Sequence, residues 1–257
     1  FFEKDFNEDQ VFERSKKIRV YPSKIDYLEI DKIFNSKVFL QEQKKEILEK
    51  TIINWSLSQA KINLNNDTNY FKTHNMLCKI NVNDKLYPFT DLEKTIGVIH
   101  IVRDPRNILT SLKNHFSFDD DESALQFMTN DDQTTGLDEN KIPQLISSWK
   151  NHYNSWKRFP KNNILFKYED LLFDTKNQIL RLADYINNFT KISISDYDID
   201  KIIVNTSFEN LKRLEGQGKF NEGSINKKTG ETKTFFKMGV KNDWKKLLNE
   251  DSRSLIE

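Results

Sequence analysis

The chain has 257 residues, 37% of them hydrophobic and 31% charged, with a formal net charge of +1. That length suits one α/β domain with a sizeable core, and the near-neutral balance argues against a general nucleic-acid binder, leaving local basic pockets for anionic ligands. A single cysteine, Cys78, excludes an intrachain disulfide framework and a cysteine-cluster metal site.

No window approaches the roughly 20 apolar residues that span a bilayer. No signal-peptide pattern precedes the first charges, so the cytoplasm is the expected compartment. The chain begins Phe1-Phe2 rather than with methionine, and an absent upstream segment is expected. From Phe1 to Phe39 aromatic residues are scattered among charges without a sustained period, which predicts loops and short helices. Gln41 to Asn63 reads as one long helix, with Ile47, Leu48, Ile52 and Trp55 on its apolar face. After the turn residues Asn65-Asn66-Asp67 comes Lys72-Thr73-His74. A histidine there can act as a general base, since its unperturbed pKa of about 6.5 lies near working pH, or as a structural residue at a strand end. Asn81 to Lys94 predicts a loop or small hairpin.

Val98, Ile99, Ile101 and Val102 form a β-branched run that reads as a strand buried on both faces. Asp104 then suits an N-cap and Pro105 a first helical turn, while Ile108, Leu109, Leu112 and Phe116 recur at helical spacing. Arg103 stands at the carboxyl end of the strand, where open parallel sheets bind their ligands. Its guanidinium can grip a phosphate with two parallel hydrogen bonds. Ser111 offers a hydroxyl to the same anion if the helix folds back over the strand end. The alternative is a salt-bridged turn followed by a solvent-facing or back-bonded serine.

Asp119-Asp120-Asp121-Glu122 lacks the calcium-loop spacing and reads as a solvated helix start. Asn130 to Asn140 is a polar loop, a candidate lid over an acceptor. Ile142 to Phe159 predicts a helix with Leu145, Ile146, Trp149, Tyr153 and Trp156 as a core stripe. The strand Ile164-Leu165-Phe166 ends at Tyr168-Glu169-Asp170, and helices follow over Thr175 to Asn188 and Asp196 to Val204. Ser207 is an N-cap for a helix carrying Phe208 and Leu211. Gly216-Gln217-Gly218 has the wrong spacing for a dinucleotide loop, and the polar stretch Asn221 to Thr234 reads as a cover over a ligand.

Arg103-Asp104-Pro105-Arg106 with Ser111, together with Lys72-Thr73-His74, Tyr168-Glu169-Asp170, Thr206-Ser207-Phe208 and Phe235-Phe236-Lys237-Met238-Gly239 ahead of Asp243-Trp244, resembles the sulfotransferases that use 3′-phosphoadenosine 5′-phosphosulfate (PAPS). The resemblance runs from Tyr70 to Leu248. It implies a P-loop-NTPase-like α/β fold, a central mostly parallel sheet flanked by helices, in one domain over residues 1–257. It implies transfer of a sulfuryl group from PAPS to a hydroxyl or amine acceptor, a small molecule, glycan or lipid, without a metal. Arg103, Ser111, Lys237 and Gly239 would bind the 3′-phosphate; Tyr168, Thr206 and Phe208 would frame the adenosine; His74 would be the base. Lysine at 237 stands where arginine is usual and Met238 replaces a lysine, so the pocket loses one planar fork and one charge.

The family also holds the 5′-phosphosulfate on a Tyr-Pro-Lys-Ser-Gly-Thr type of loop. Tyr21-Pro22-Ser23-Lys24 is superficially alike, but no glycine follows and Asp26 brings a carboxylate. The loop is therefore expected upstream, and this chain alone is expected to be inactive. The alternative class is a non-catalytic module of the same fold that binds the nucleotide or a partner. A nucleoside-triphosphate kinase would need a Gly-x-x-x-x-Gly-Lys-Ser/Thr loop, which this sequence lacks.

Overall fold

The computed structural model describes residues 19–21, 41–59, 68–135, 144–220, 230, 232–254 and 256. In chain order the first elements are β1 (Arg19–Tyr21), α1 (Gln41–Ser58), β2 (Phe71–Thr73), β3 (Lys79–Val82), β4 (Lys85–Pro88) and β5 (Gly97–Val102). Then come α2 (Pro105–Phe116), α3 (Asp121–Thr129), β6 (Thr134–Thr135), β7 (Gln144–Leu145), α4 (Trp149–Lys157) and β8 (Asn162–Lys167). The chain continues through α5 (Tyr168–Phe173), α6 (Thr175–Asn187), α7 (Asp196–Asn205) and α8 (Phe208–Gly216). A 3-10 turn (Gly239–Lys241), α9 (Trp244–Leu247) and α10 (Glu250–Ser254) complete it. The protein is mixed α/β, as predicted, with the described strands paired β1-β2, β3-β4, β5-β8 and β6-β7. Its described residues divide into two compact units, one within 18–100 and 128–164, the other within 101–127 and 165–257.

In the first unit β1 and β2 run parallel, with Tyr21 opposite Thr73. A strand thus stands where loops and short helices were predicted. It ends at the first residue of Tyr21-Pro22-Ser23-Lys24; Pro22 to Lys24 lie outside the described residues, as do 221–229 of the stretch read as a cover and 136–140 of the loop read as a lid. β3 and β4 form the expected hairpin. Its Asn83 and Asp84 have φ of 51° and 61°, as a two-residue turn matching the right-handed strand twist requires. The core here is built on Ile52 and Trp55 of α1, both fully buried, with Val82, Phe89, Trp156 and Phe159. Trp55 Nε1–H donates to the Phe89 carbonyl at 2.6 Å, which pays for burying a polar indole atom.

The helix predicted from Ile142 starts only at Trp149. Ser147 takes a left-handed φ of 61°, and Ser148 caps α4 by accepting the Asn151 amide. Leu145 meanwhile gives its amide to Asn75 Oδ1 and its carbonyl to the Met76 amide, both at 2.8 Å. Tertiary hydrogen bonds to a buried asparagine override the apolar helical period there.

In the second unit α2 begins as predicted: Pro105 sits at its start and Asp104 accepts the Arg106 amide at 2.9 Å. Ile179, Ala183 and Ile186 form the buried face of α6, and Ile179 packs with Ile199 and Ile202 of α7. Ser195 and Asp198 close a reciprocal capping box on α7. The expectation of a central strand buried on both faces is overturned. Ile99 and Ile101 are 39% and 59% exposed, whereas His100 between them is 6% exposed. Alternation of side chains along a strand puts the histidine on the covered face and the isoleucines on the open one.

Replacing Trp55 should register on denaturant unfolding. Trp55→Ala is expected to cost about 3–5 kcal/mol. Trp55→Phe, which strands the Phe89 carbonyl, should cost about 1–3 kcal/mol; equal stability to wild type would refute this role for the indole.

Candidate functional site

The residues singled out in the sequence sort onto the two units. Arg103, Ser111, Tyr168, Thr206, Phe208, Lys237 and Gly239 belong to one, His74 to the other. In the first group three meet directly. Arg103 leaves the end of β5 and donates from Nη1 to Ser111 Oγ at 3.1 Å, while its guanidinium lies over the Tyr168 ring, 4.5 Å from the centroid. Its Nε is buried and has no hydrogen-bond partner. A buried guanidinium donor left unpaired is costly, so the position calls for a hydrogen-bond acceptor.

The neighbouring Arg106 is differently committed. It forms a two-pronged pair with Asp104, Nε to Oδ1 at 3.0 Å and Nη2 to Oδ2 at 2.8 Å, and stacks on Trp244, 3.9 Å from the ring centroid. Burial alone would raise the Asp104 carboxyl, but the Arg106 hydrogen bonds and charge, with the Arg103 charge beyond, hold it below the usual carboxylate range. The Asp104 amide donates to Glu169 Oε1 at 3.1 Å, tying the start of α2 to α5, which Tyr168 opens.

Residues 233–244 run back along α2 as a strap. Asn107, Thr110, Ser111 and Asn114 follow one another at helical spacing, and each meets it. Asn114 donates to the Thr234 carbonyl at 3.3 Å and accepts from Lys233 and Lys237 Nζ, through its carbonyl at 2.9 Å and its Oδ1 at 3.4 Å respectively. Asn107 Oδ1 accepts the Trp244 amide at 3.0 Å, so Asp243-Trp244 does anchor this segment. Lys237 is exposed and reaches the helix one turn beyond Ser111. Gly239 has φ +52°, and a Cβ there would lie 2.8 Å from the Phe208 ring. Glycine is therefore required both by conformation and by close approach. The Glu215 carboxylate accepts the amides of Phe235 and Phe236 at 2.5 and 3.0 Å.

Thr206 ends α7 with its hydroxyl donating to the Ile202 carbonyl at 2.7 Å. Ser207 caps α8, as read from the sequence, by accepting the Asn210 amide at 3.2 Å. The central member that sequence reasoning missed is Asn242, whose side chain touches Asn107, Thr110 and Ser111. No local signal marks it. The Asn107, Thr110, Ser111 and Asn114 stripe, by contrast, was visible as a helical period of polar residues.

In the other unit His74 directly follows β2, exposed. The His152 ring hydrogen-bonds the His74 backbone, and His152 lies 6.4 Å from His100, ring to ring. Burial, reinforced by repulsion from His152, pushes the His100 pKa down to about 4. Burial likewise lowers His152, partly offset by its bond to His74. Cys78 is half-buried, and burial pushes its thiol up to about 11, so it is not a ready nucleophile. Among the described residues no helix is long and apolar enough to cross a membrane, and no group of three or more His, Cys, Asp or Glu could hold a metal ion.

A strand-end arginine bonded to a helix-borne serine, a tyrosine under the guanidinium and a glycine-bearing strap thus come together at the carboxyl end of β5. The chain belongs to the sulfotransferase domain family, which matches residues 3–257. It is 30% identical to cytosolic sulfotransferase 8 of Arabidopsis thaliana over 115 residues, 42% of this chain and 33% of that protein. It is 26% identical to the amine sulfotransferase of Oryctolagus cuniculus over 154 residues, 58% of this chain and 48% of that protein. The aligned stretch thus spans a third to a half of these curated relatives. The fold is similar to that of mouse sulfotransferase SULT7A1, solved in complex with PAP, at a TM-score of 0.52 and 17% identity over 77% of this chain and 66% of that one.

Two outcomes follow from this geometry. Gly239→Ala should lower stability by about 1–3 kcal/mol on denaturant unfolding, since it adds both overpacking and a strained φ; an unchanged midpoint would refute the close packing on Phe208. For the histidines the sign is fixed by their lowered folded-state values. The unfolded chain binds more protons below about pH 6.5, so stability is full above that pH and falls towards pH 4, by up to about 1.4 kcal/mol per pH unit for His100. His100→Phe should flatten that slope, and an unaltered slope would contradict the assignment.

Proposed function

We propose that this chain, residues 1–257, is a single sulfotransferase domain, inactive by itself, of an enzyme that transfers a sulfuryl group from PAPS to a hydroxyl or amine acceptor and releases adenosine 3′,5′-bisphosphate. The observation that carries this reading is the Arg103 guanidinium, bonded to Ser111, stacked on Tyr168 and left with a buried, unpartnered Nε. A phosphate oxygen satisfies that donor, and a dianion offsets the cost of desolvating the guanidinium.

Arg103 and Ser111 are assigned to the 3′-phosphate, with Lys237 and the Gly239 backbone approaching along the strap. Tyr168, Thr206 and Phe208 are assigned to the adenosine. Tyr168 gives one ring face to Arg103 and Phe208 packs against Gly239, so the nucleotide meets what those contacts leave uncovered. PAPS supplies the activated sulfuryl group. His74, exposed at the end of β2, is assigned to accept the proton of the attacking acceptor oxygen or nitrogen. The hydrogen bond from His152 to its backbone supports that role by fixing the segment. The acceptor is a small molecule, glycan or lipid; one relative is named for amines. Relatives named as cytosolic support a cytoplasmic location.

Calorimetry with adenosine 3′,5′-bisphosphate tests the reading. Wild type should bind saturably, and Arg103→Ala should bind about tenfold to hundredfold more weakly, the worth of a charged hydrogen bond. Binding that Arg103→Ala leaves intact would overturn the assignment. Bisphosphate binding without sulfuryl transfer to hydroxyl or amine acceptors, once the family's 5′-phosphosulfate loop is supplied, would favour the non-catalytic module instead.

A further inference from the structure

We propose that Asn242 is a positioning residue of the phosphate pocket: its carboxamide occupies the Asn107 carbonyl and so turns the Ser111 hydroxyl proton towards an arriving phosphate. The inference deepens the function proposed above and rests on it.

The argument is a count of protons and lone pairs. The Asn107 carbonyl lies within reach of three side-chain donors: Thr110 Oγ1 at 2.9 Å, Ser111 Oγ at 3.2 Å and Asn242 Nδ2 at 3.1 Å. A carbonyl oxygen has two lone pairs, and in a helix one already takes the amide four residues on. One lone pair therefore faces three contenders. Thr110 has another acceptor, Asn242 Oδ1 at 2.5 Å. Asn242 has two amide hydrogens, one for the Asn107 carbonyl and one for Ser111 Oγ at 3.0 Å.

One arrangement satisfies every one of these groups except the Ser111 hydroxyl proton. Thr110 donates to Asn242 Oδ1, and Asn242 Nδ2 donates to both the Asn107 carbonyl and Ser111 Oγ. Arg103 Nη1 donates to the remaining lone pair of Ser111 Oγ. The serine oxygen then accepts twice, and its only proton has no acceptor left inside the helix. It is free for the phosphate. Without Asn242 the lone pair on the Asn107 carbonyl returns to Ser111, whose proton back-bonds into its own helix and away from the ligand.

Asn242 is only 9% exposed, and it directly follows the 3-10 turn that carries Gly239. Its amide hydrogen bonds to the Gly239 carbonyl at 3.1 Å. The strap therefore reaches the pocket through a side chain whose every polar function is used. Its role is to orient, since it acts on the ligand through Ser111.

The test compares adenosine 3′,5′-bisphosphate with adenosine 5′-monophosphate, which lacks the 3′-phosphate, by calorimetry on the full chain. Asn242→Ala should weaken bisphosphate binding about tenfold, the worth of a hydrogen bond to a charged group, and leave the monophosphate affinity unchanged. Asn242→Asp, nearly the same shape, removes both donors and adds a negative charge, and should weaken bisphosphate binding about a hundredfold. In a Ser111→Ala background Asn242→Ala should have no further effect. Equal losses for both nucleotides, or additive losses with Ser111→Ala, would make Asn242 a structural residue and overturn the proposal. If Arg103→Ala weakens bisphosphate binding while both Asn242 variants bind as wild type does, this inference falls and the proposed function stands. If wild type binds no bisphosphate, the proposed function falls and takes this inference with it.

Discussion

The second unit turns on one half-buried guanidinium. Taking a charge out of water costs several kcal/mol unless partners replace the lost hydration, and the structure supplies Arg103 with only part of a shell. Ser111 takes Nη1 and the Tyr168 ring takes one face. Nε is left over. Arg106, three residues on, shows the contrasting solution: it is paired twice with Asp104 and stacked on Trp244. One arginine of the Arg-Asp-Pro-Arg segment is thus committed to structure, while the other keeps a buried donor without a partner.

The remainder of that unit serves to hold this arrangement. Asp104 caps α2 and is steadied through its own amide by Glu169. Because Tyr168 precedes Glu169 at the start of α5, the same bond fixes the ring under Arg103. On the far side of α2, Asn107 and Asn114 grip the strap at both ends, with the Asn242 contacts between. The strap has almost no regular structure, so its backbone groups depend on side chains of the helix and of Glu215. Such a segment is held at a few points rather than by a ladder of bonds.

Around His74 the constraint is desolvation of neutral rings. His100 and His152 are kept below their ordinary range by burial, so the residue behind the candidate base is uncharged at neutral pH. A neutral imidazole can give one ring N–H to the His74 backbone without placing a positive charge beside the His74 ring. Asn75, the next residue, is almost wholly buried and bonded to Leu145 and Trp156. His74 is therefore an exposed side chain on a well-anchored backbone.

Much of this was legible in one dimension. The caps at Asp104 and Ser207, the helices from Pro105, Thr175 and Asp196, the hairpin turn and the family segments all follow from rules that act over about four residues. Arg103 and Ser111 could be paired on the condition that the helix folds back over the strand end, and the family resemblance, rather than their eight-residue spacing alone, favoured that over a salt-bridged turn. What the sequence could not determine is which distant polar groups converge. Asn242 lies 131 residues from Ser111, and an asparagine in a loop carries no mark of its partner. The start of α4 and the open face of β5 were misread for the same reason: periodicity reports that a residue is apolar, while burial and hydrogen-bond satisfaction are decided by whatever the tertiary fold brings against it. The sequence by itself determined the local elements and the kind of chemistry on offer. The tertiary structure alone decided which donors and acceptors are already satisfied, and so which are left for a ligand.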